Sequence, residues 1–212
     1  AWTHAAVIDG LRQREPKENS EPTEKTVIYL LYDENYLYIG AKCYDSDPKG
    51  IIAYNMLYDF HLRSDVYLEI LLDPFNDRRN AYVFAVNPNG AKKDGLVVNN
   101  SERSYDEWDG IWYVATSRDA RGWYVEIAIP FKTISYKPGE TRWGFNIRRY
   151  IKRKMEEDRW ASPFYDVYFY KVAKAGYIVG IEGIKQGKGI DVRPYALAGF
   201  ERPEEATSTE LN

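Results

Sequence analysis

The chain has 212 residues, with 29 basic and 32 acidic side chains spread along it and a formal net charge of -3 at neutral pH. Without a basic stripe or patch there is no footprint for a phosphate backbone, so nucleic acid is not an expected partner. Hydrophobic residues make up 44% and can fill a sizeable core, and the 16% aromatic share, with 19 Tyr and 6 Trp, suits both a β-rich interior and a half-wet surface that grips a polar ring.

In chain order, residues 1–7 read as folded-domain sequence rather than a leader. Residues 10–25 are polar, contain Pro16 and Pro22, and predict a loop. Two β-rich runs, 26–32 and 36–44, flank the short turn Asp33-Glu34-Asn35 and predict a hairpin. In its second strand Leu37, Ile39, Ala41 and Cys43 alternate with Tyr36, Tyr38, Lys42 and Tyr44, the period of a half-buried strand. Cys43 is the single cysteine, so no disulfide framework exists and its expected role is a small buried hydrophobe.

Further strands are predicted at 65–73, 81–87, 111–117, 122–129, 142–150, 164–172, 177–184 and 189–198, with one helical turn after Pro130. Short strands at this spacing predict an all-β fold, an antiparallel β-sandwich with a jelly-roll-like or immunoglobulin-like two-sheet architecture. One domain over 1–200 and a flexible tail or linker over 201–212 are expected. No apolar run approaches the roughly 18 residues of a membrane-spanning helix.

The most informative stretch is Glu107-Trp108-Asp109-Gly110-Ile111-Trp112, acid-flanked tryptophans in a turn. Sugar recognition needs flat rings against the apolar faces of a pyranose and polar groups for its hydroxyls. Trp108 and Trp160 lie among polar residues and are the stacking candidates, with Trp112 suited to either surface or core. Trp123 and Trp143 share strand faces with aliphatics and are expected in the core. Asp109, Arg149, Arg153 and Glu156 are the expected polar contacts, although the arginines and Glu156 also suit an ionic staple; the basic run 148–154 is answered at once by Glu156-Glu157-Asp158.

Asp73, Asn76 and Asp77 place three oxygen donors in one turn, with Asn87, Asn89 and Asp94 one strand away, a donor set for a structural Ca²⁺ or for plain Asx turns. With only His4 and His61, zinc and Ser-His-Asp schemes are poorly supplied, and no spacing argument picks out a carboxylate pair such as Asp59 or Asp65 with Asp109. The chain is therefore expected not to be an enzyme. Met56, His61 and Met155 are the candidate donors for a haem axial position, without a covalent attachment motif.

Trp2 to Ala5, the run from Asp65 to Asp77, Phe84 through Gly90, Trp108 to Trp112, Gly122-Trp123 to Pro130-Phe131, Trp143 to Asn146, and Arg149 through Arg153 with Glu156 and Trp160 together resemble the carbohydrate-binding module family nine-like domains. The closer resemblance is to the version at the N-terminus of bacterial envelope proteins of unassigned function that continue into an outer-membrane β-barrel. That resemblance implies a β-sandwich, an oligo- or polysaccharide ligand, a location in the periplasm or at the cell surface, and a barrel lead-in at Ile190-Asp191-Val192-Arg193-Pro194-Tyr195. The wider fold group also includes haem-binding electron-transfer subunits, so fold alone does not fix function. The expected function is a noncovalent carbohydrate-binding module that docks a larger envelope or secreted protein; the alternatives are a protein-interaction or plug domain without sugar binding and, third, a haem-binding subunit.

Overall fold

Alternating apolar residues build strands such as Tyr36–Tyr44 and Gly122–Pro130 in the computed structural model, which describes residues 2–185. In chain order these are β1 Ala6–Ile8, β2 Arg12–Glu15, β3 Thr26–Tyr32, β4 Tyr36–Tyr44, β5 Tyr67–Asp73, β6 Ala81–Val86, β7 Lys92–Val97, β8 Tyr113–Asp119, β9 Gly122–Pro130, β10 Arg142–Ile151, β11 Glu156–Arg159 and β12 Gly176–Val179. They form two antiparallel sheets, the first in the order β1-β3-β4-β9-β8 and the second in the order β2-β11-β10-β5-β6-β7. β12 pairs with the start of β10, on the same edge along which β11 pairs with its end. The predicted sandwich is the observed one.

Between the sheets lies the main core. Ile28, Leu37, Ile39 and Cys43 come from one sheet, and Leu68, Ile70, Phe84, Trp143 and Phe145 come from the other. Trp123 and Trp143 are fully buried there, as their aliphatic neighbours on the same strand face predict. Each large apolar side chain removed from water contributes about 1.5–3 kcal/mol, so this layer dominates the stability.

The two outer faces differ. The second sheet is covered again on its far side. Phe169, Val172 and Ala175 pack on Leu71, Val83 and Val97, while Phe60 packs with Tyr67, Ala85 and Tyr150. The first sheet shows Tyr29, Tyr36, Tyr38, Lys42, Tyr44, Tyr124 and Glu126 on its outer side, none of them buried.

Several strands depart from the sequence expectation. Residues 164–172 form turns leading into a 3-10 helix at Val172–Lys174, because Phe169 and Val172 are used to cover the second sheet rather than to extend it. Pro130 ends β9 in a hydrogen-bonded turn closed by Thr133 N–H on the Pro130 carbonyl at 2.9 Å, without a helix. The predicted strand at 177–184 is confined to β12. The expected strand at 189–198, the barrel lead-in at 190–195 and the tail at 201–212 lie outside the described residues.

Strand β11 has the sequence Glu-Glu-Asp-Arg and is buried at all four positions, held between β10 and β2. Glu156, Glu157 and Arg159 sit among partners, whereas neither carboxylate oxygen of buried Asp158 has a hydrogen bond among the described residues. Glu157 accepts from Arg148 at 3.2 Å and pairs with Arg159 at 2.6 Å, and Arg159 also donates to the Val167 carbonyl at 2.7 Å. Arg148 lies under the rings of Tyr67, Phe169 and Tyr170 while pairing with Glu69.

Candidate functional site

Trp160 follows β11, and its backbone N–H donates to the Ile147 carbonyl at 3.1 Å, which fixes where the indole leaves the sheet. The ring rests on Phe145, with centroids 5.8 Å apart, and against the backbone of Gly176. A Cβ at Gly176 would come within 2.6 Å of the indole, so glycine is what lets the ring lie there. One edge of the ring lines a cleft of about 410 Å³ where β1 and β3 of one sheet meet β12 of the other. That volume falls within the range of small-molecule sites.

Leu30, Leu37, Ile178 and Ile181 make much of the cleft wall apolar. Polar groups stand on it through His4, Tyr32 and Tyr177. Tyr32 Oη donates to the Gly180 carbonyl at 2.6 Å and accepts from Glu182 N–H at 3.2 Å, tying the chain after β12 to β3. The Tyr177 ring has the guanidinium groups of Arg78 and Arg142 each 4.5 Å from its centroid. The arrangement offers flat aromatic walls, an apolar lining and a polar rim.

Trp108, Asp109 and Trp112 lie elsewhere. Trp108 packs on Tyr82 and Phe84 of β6 at 4.9 and 5.9 Å, and Trp112 is 2% exposed with its ring 5.2 Å from Phe84. The carboxylate of Asp94 organises this turn: its Oδ2 accepts from Gly110 N–H at 2.8 Å and from Trp112 Nε1 at 2.9 Å. Asp109 stands on the exposed surface of the turn. Trp112 is thus a core residue, Trp108 seals one side of the sandwich, and β5 separates both from Trp160, which rests on β10.

Arg149, Arg153 and Glu156 form a third group. Arg149 shares the inward parity of Trp143, Phe145 and Ile147 and is fully buried. It donates across the sandwich to Thr26 Oγ1 at 3.1 Å and to the Tyr44 carbonyl at 2.8 Å. Arg153 pairs with Glu24 at 2.8 Å and with Asp45, and Glu156 accepts from Thr23 N–H and Oγ1 at 2.8 and 2.7 Å. Burial raises the Glu24 pKa, but hydrogen bonds from Lys154, Ser46 and Arg153 outweigh it and hold the carboxyl at about 2. These contacts staple residues 23–26 and 44–45 to the end of β10. Arg149 is four residues from Phe145, roughly 13 Å along the strand. The expected sugar-contact set is therefore split over three places, and only Trp160 reaches a cleft.

At the turn after β5, Asp73 accepts Asp77 N–H at 3.3 Å and Arg78 N–H at 2.9 Å, and Asp77 accepts Arg79 and Asn80 N–H at 2.8 Å each. Backbone hydrogens thus point at the oxygens a cation would need, with the Asn76 Oδ1 the one buried oxygen of the three residues lacking a hydrogen bond. Asn87 and Asp94 are likewise used, Asn87 Oδ1 accepting Asn89 and Ala91 N–H at 3.0 and 2.9 Å. The hydrogen-bond pattern here is that of Asx turns. Met56 and Met155 are 79% and 70% exposed, and His61 Nδ1 is 2.7 Å from the Leu62 carbonyl, so the three donors weighed for haem do not face the cleft.

Reading the sequence alone misses Trp2, whose indole lies across Gly40 on the open outer face of the first sheet. The alternation in β4 already separates Tyr38 and Lys42 from the core, but nothing local to Trp2 says where its ring lands.

A family model described as "Carbohydrate family 9 binding domain-like" matches residues 1–162. Among solved structures, the chain is similar to a family 9 carbohydrate-binding module from Caldicellulosiruptor kristjanssonii in complex with glucose, at 19% identity and a TM-score of 0.62, covering 91% of this chain and 90% of that one. The module from the same organism in complex with cellotriose gives 18% identity and a TM-score of 0.58 over 88% and 89% of the two chains. A protein of Bacteroides uniformis gives 12% identity and a TM-score of 0.64 over 81% and 86%. A search of curated proteins finds no match. Identities this low speak to fold, and the family match spans most of the chain: this protein belongs to the carbohydrate family 9 binding domain-like family.

Proposed function

We propose that this domain binds a carbohydrate noncovalently in the edge cleft, with Trp160 as the stacking ring and Tyr32, Tyr177 and His4 as polar contacts. Family membership supports sugar binding, as do the glucose and cellotriose carried by the similar modules. The observation that carries the reading is the placement of Trp160 in the wall of a concave cleft of about 410 Å³. The role is recognition rather than catalysis, docking a larger extracytoplasmic protein onto a glycan.

The test is intrinsic tryptophan fluorescence titrated with glucose, cellotriose and a panel of other oligosaccharides, for the unaltered protein and for Trp160→Ala and Trp108→Ala. The proposal expects a saturable quenching by glucose that is lost in Trp160→Ala and persists in Trp108→Ala. No response to any sugar refutes it.

One feature favours a second reading, protein docking beside an outer-membrane barrel. Tyr54, Met56 and Leu57 are 81%, 79% and 77% exposed on a single loop. Buried Asp65 and Asn87 hold that loop's backbone, Asp65 accepting Tyr54 and Asn55 N–H at 3.2 and 3.0 Å and Asn87 Nδ2 donating to the Asn55 carbonyl at 2.8 Å. Exposed apolar side chains gathered on one anchored loop suit a protein-interaction surface.

A further inference from the structure

The outer face of the first sheet is the only broad sheet face among the described residues left without a covering segment, and it is not apolar. The register aligns Tyr29, Gly40, Glu126 and Ala115 in one row across β3, β4, β9 and β8, and Val27, Lys42, Tyr124 and Ser117 in the next. A third row holds Tyr38 and Tyr113 on the other side. Successive rows are about 7 Å apart, two residues along a strand.

Trp2 turns this face into a groove. Its ring lies over Gly40, where a Cβ would come within 2.9 Å, and its Nε1 donates to Glu126 Oε1 at 2.8 Å. The Tyr29 ring is 6.1 Å away, and Lys42 Nζ is 5.1 Å from the centre of Tyr29. Trp2, Tyr29, Lys42, Tyr124 and Glu126 enclose an open volume of about 390 Å³. The rings are held in place beforehand, which lowers the ordering cost of binding.

We propose that this groove is a second carbohydrate site that takes a neutral oligosaccharide chain lying across the sheet. The rings of Trp2, Tyr29 and Tyr124 supply stacking surface, and Lys42 and Glu126 supply a donor and an acceptor on adjacent strands. The charge pattern selects the ligand class: one cation beside one anion leaves the groove neutral, so an anionic or cationic chain meets a like charge while a polyol meets both partners. The Tyr36–Tyr38 stack at 5.7 Å and Tyr113, 6.5 Å from Tyr36, continue the aromatic surface toward the third row, as an extended chain requires. The site is independent of the Trp160 cleft, which opens at the sandwich edge.

The experiment is calorimetric titration of the protein with neutral hexasaccharides of β-1,4-glucose, β-1,4-xylose, β-1,3-glucose and β-1,4-mannose, with the Trp2 indole cross-peak followed by NMR. The variants are Tyr124→Ala, Lys42→Ala and Trp160→Ala. Tyr124 and Lys42 are on the surface, so their variants should keep the fold, checked by circular dichroism. The proposal expects at least one hexasaccharide to bind with a shift of the Trp2 indole, affinity to fall about tenfold in Tyr124→Ala, and this binding to survive in Trp160→Ala. Binding that Trp160→Ala abolishes and Tyr124→Ala and Lys42→Ala leave unchanged overturns the second site while leaving the cleft reading in place. Absence of any hexasaccharide-induced Trp2 shift also overturns it.

Discussion

Replacing Asp158 by Asn should stabilise the protein, and the gain should grow with pH. Asp158 sits in β11 with no exposed surface, and Arg149, its register partner on β10, aims its guanidinium at Thr26 and Tyr44 instead. Burial, and after it the neighbouring charge of Glu156, push the Asp158 pKa from 3.8 up to about 8. The folded protein therefore keeps a proton that the unfolded chain releases from about pH 4 upward. The stability this group contributes is full below pH 4 and is lost as pH rises toward 8, at about 1.4 kcal/mol per pH unit. Asn mimics the neutral acid and titrates nowhere, so it escapes that loss. Between pH 5 and pH 8 the advantage of Asp158→Asn should widen by up to about 4 kcal/mol. Urea unfolding of both proteins at pH 5, 6.5 and 8 measures the gap. A gap that stays constant or narrows as pH rises refutes the reasoning.

Glu24 works in the opposite direction: its folded pKa of about 2 lies below the ordinary value, so its contribution is present above pH 4.5 and lost as pH falls toward 2. Glu24→Gln should therefore destabilise at pH 7 and converge with the unaltered protein near pH 2, read by the same unfolding series. Gly176→Ala places a methyl 2.6 Å from the Trp160 indole and should lower stability by about 1–3 kcal/mol while weakening any sugar that stacks on that ring, read by thermal unfolding and titration together. Because backbone N–H groups already occupy the oxygens of Asp73 and Asp77, the melting temperature should be the same in calcium chloride and in EDTA, and a rise of several degrees with calcium would show a cation held there.

The sandwich was readable because its core strands obey the two-residue period. β4 and β9 alternate, and Trp123 and Trp143 were placed in the core by their aliphatic neighbours. β11 and β2 were hidden because their residues are charged or polar, and only ladder pairing, β11 with β10 and β2 with β11, makes them strands. The run 164–172 has strand-like composition but is used as a cover, a choice made by the sheet beneath it. Arg149 carries a sign that parity alone reveals: it falls on the face of Trp143 and Phe145, which directs it inward. Which tryptophan meets a cleft was not legible, since Trp160 depends on Gly176 and Trp2 on Gly40, contacts between residues far apart in the chain.

The most direct test of carbohydrate binding at the cleft is a proton–nitrogen NMR titration of the indole N–H signals with cellotriose and the wider sugar panel. The account predicts a saturable shift of the Trp160 signal with the signals of buried Trp112, Trp123 and Trp143 unmoved; a Trp160 signal that stays fixed through the whole panel contradicts it.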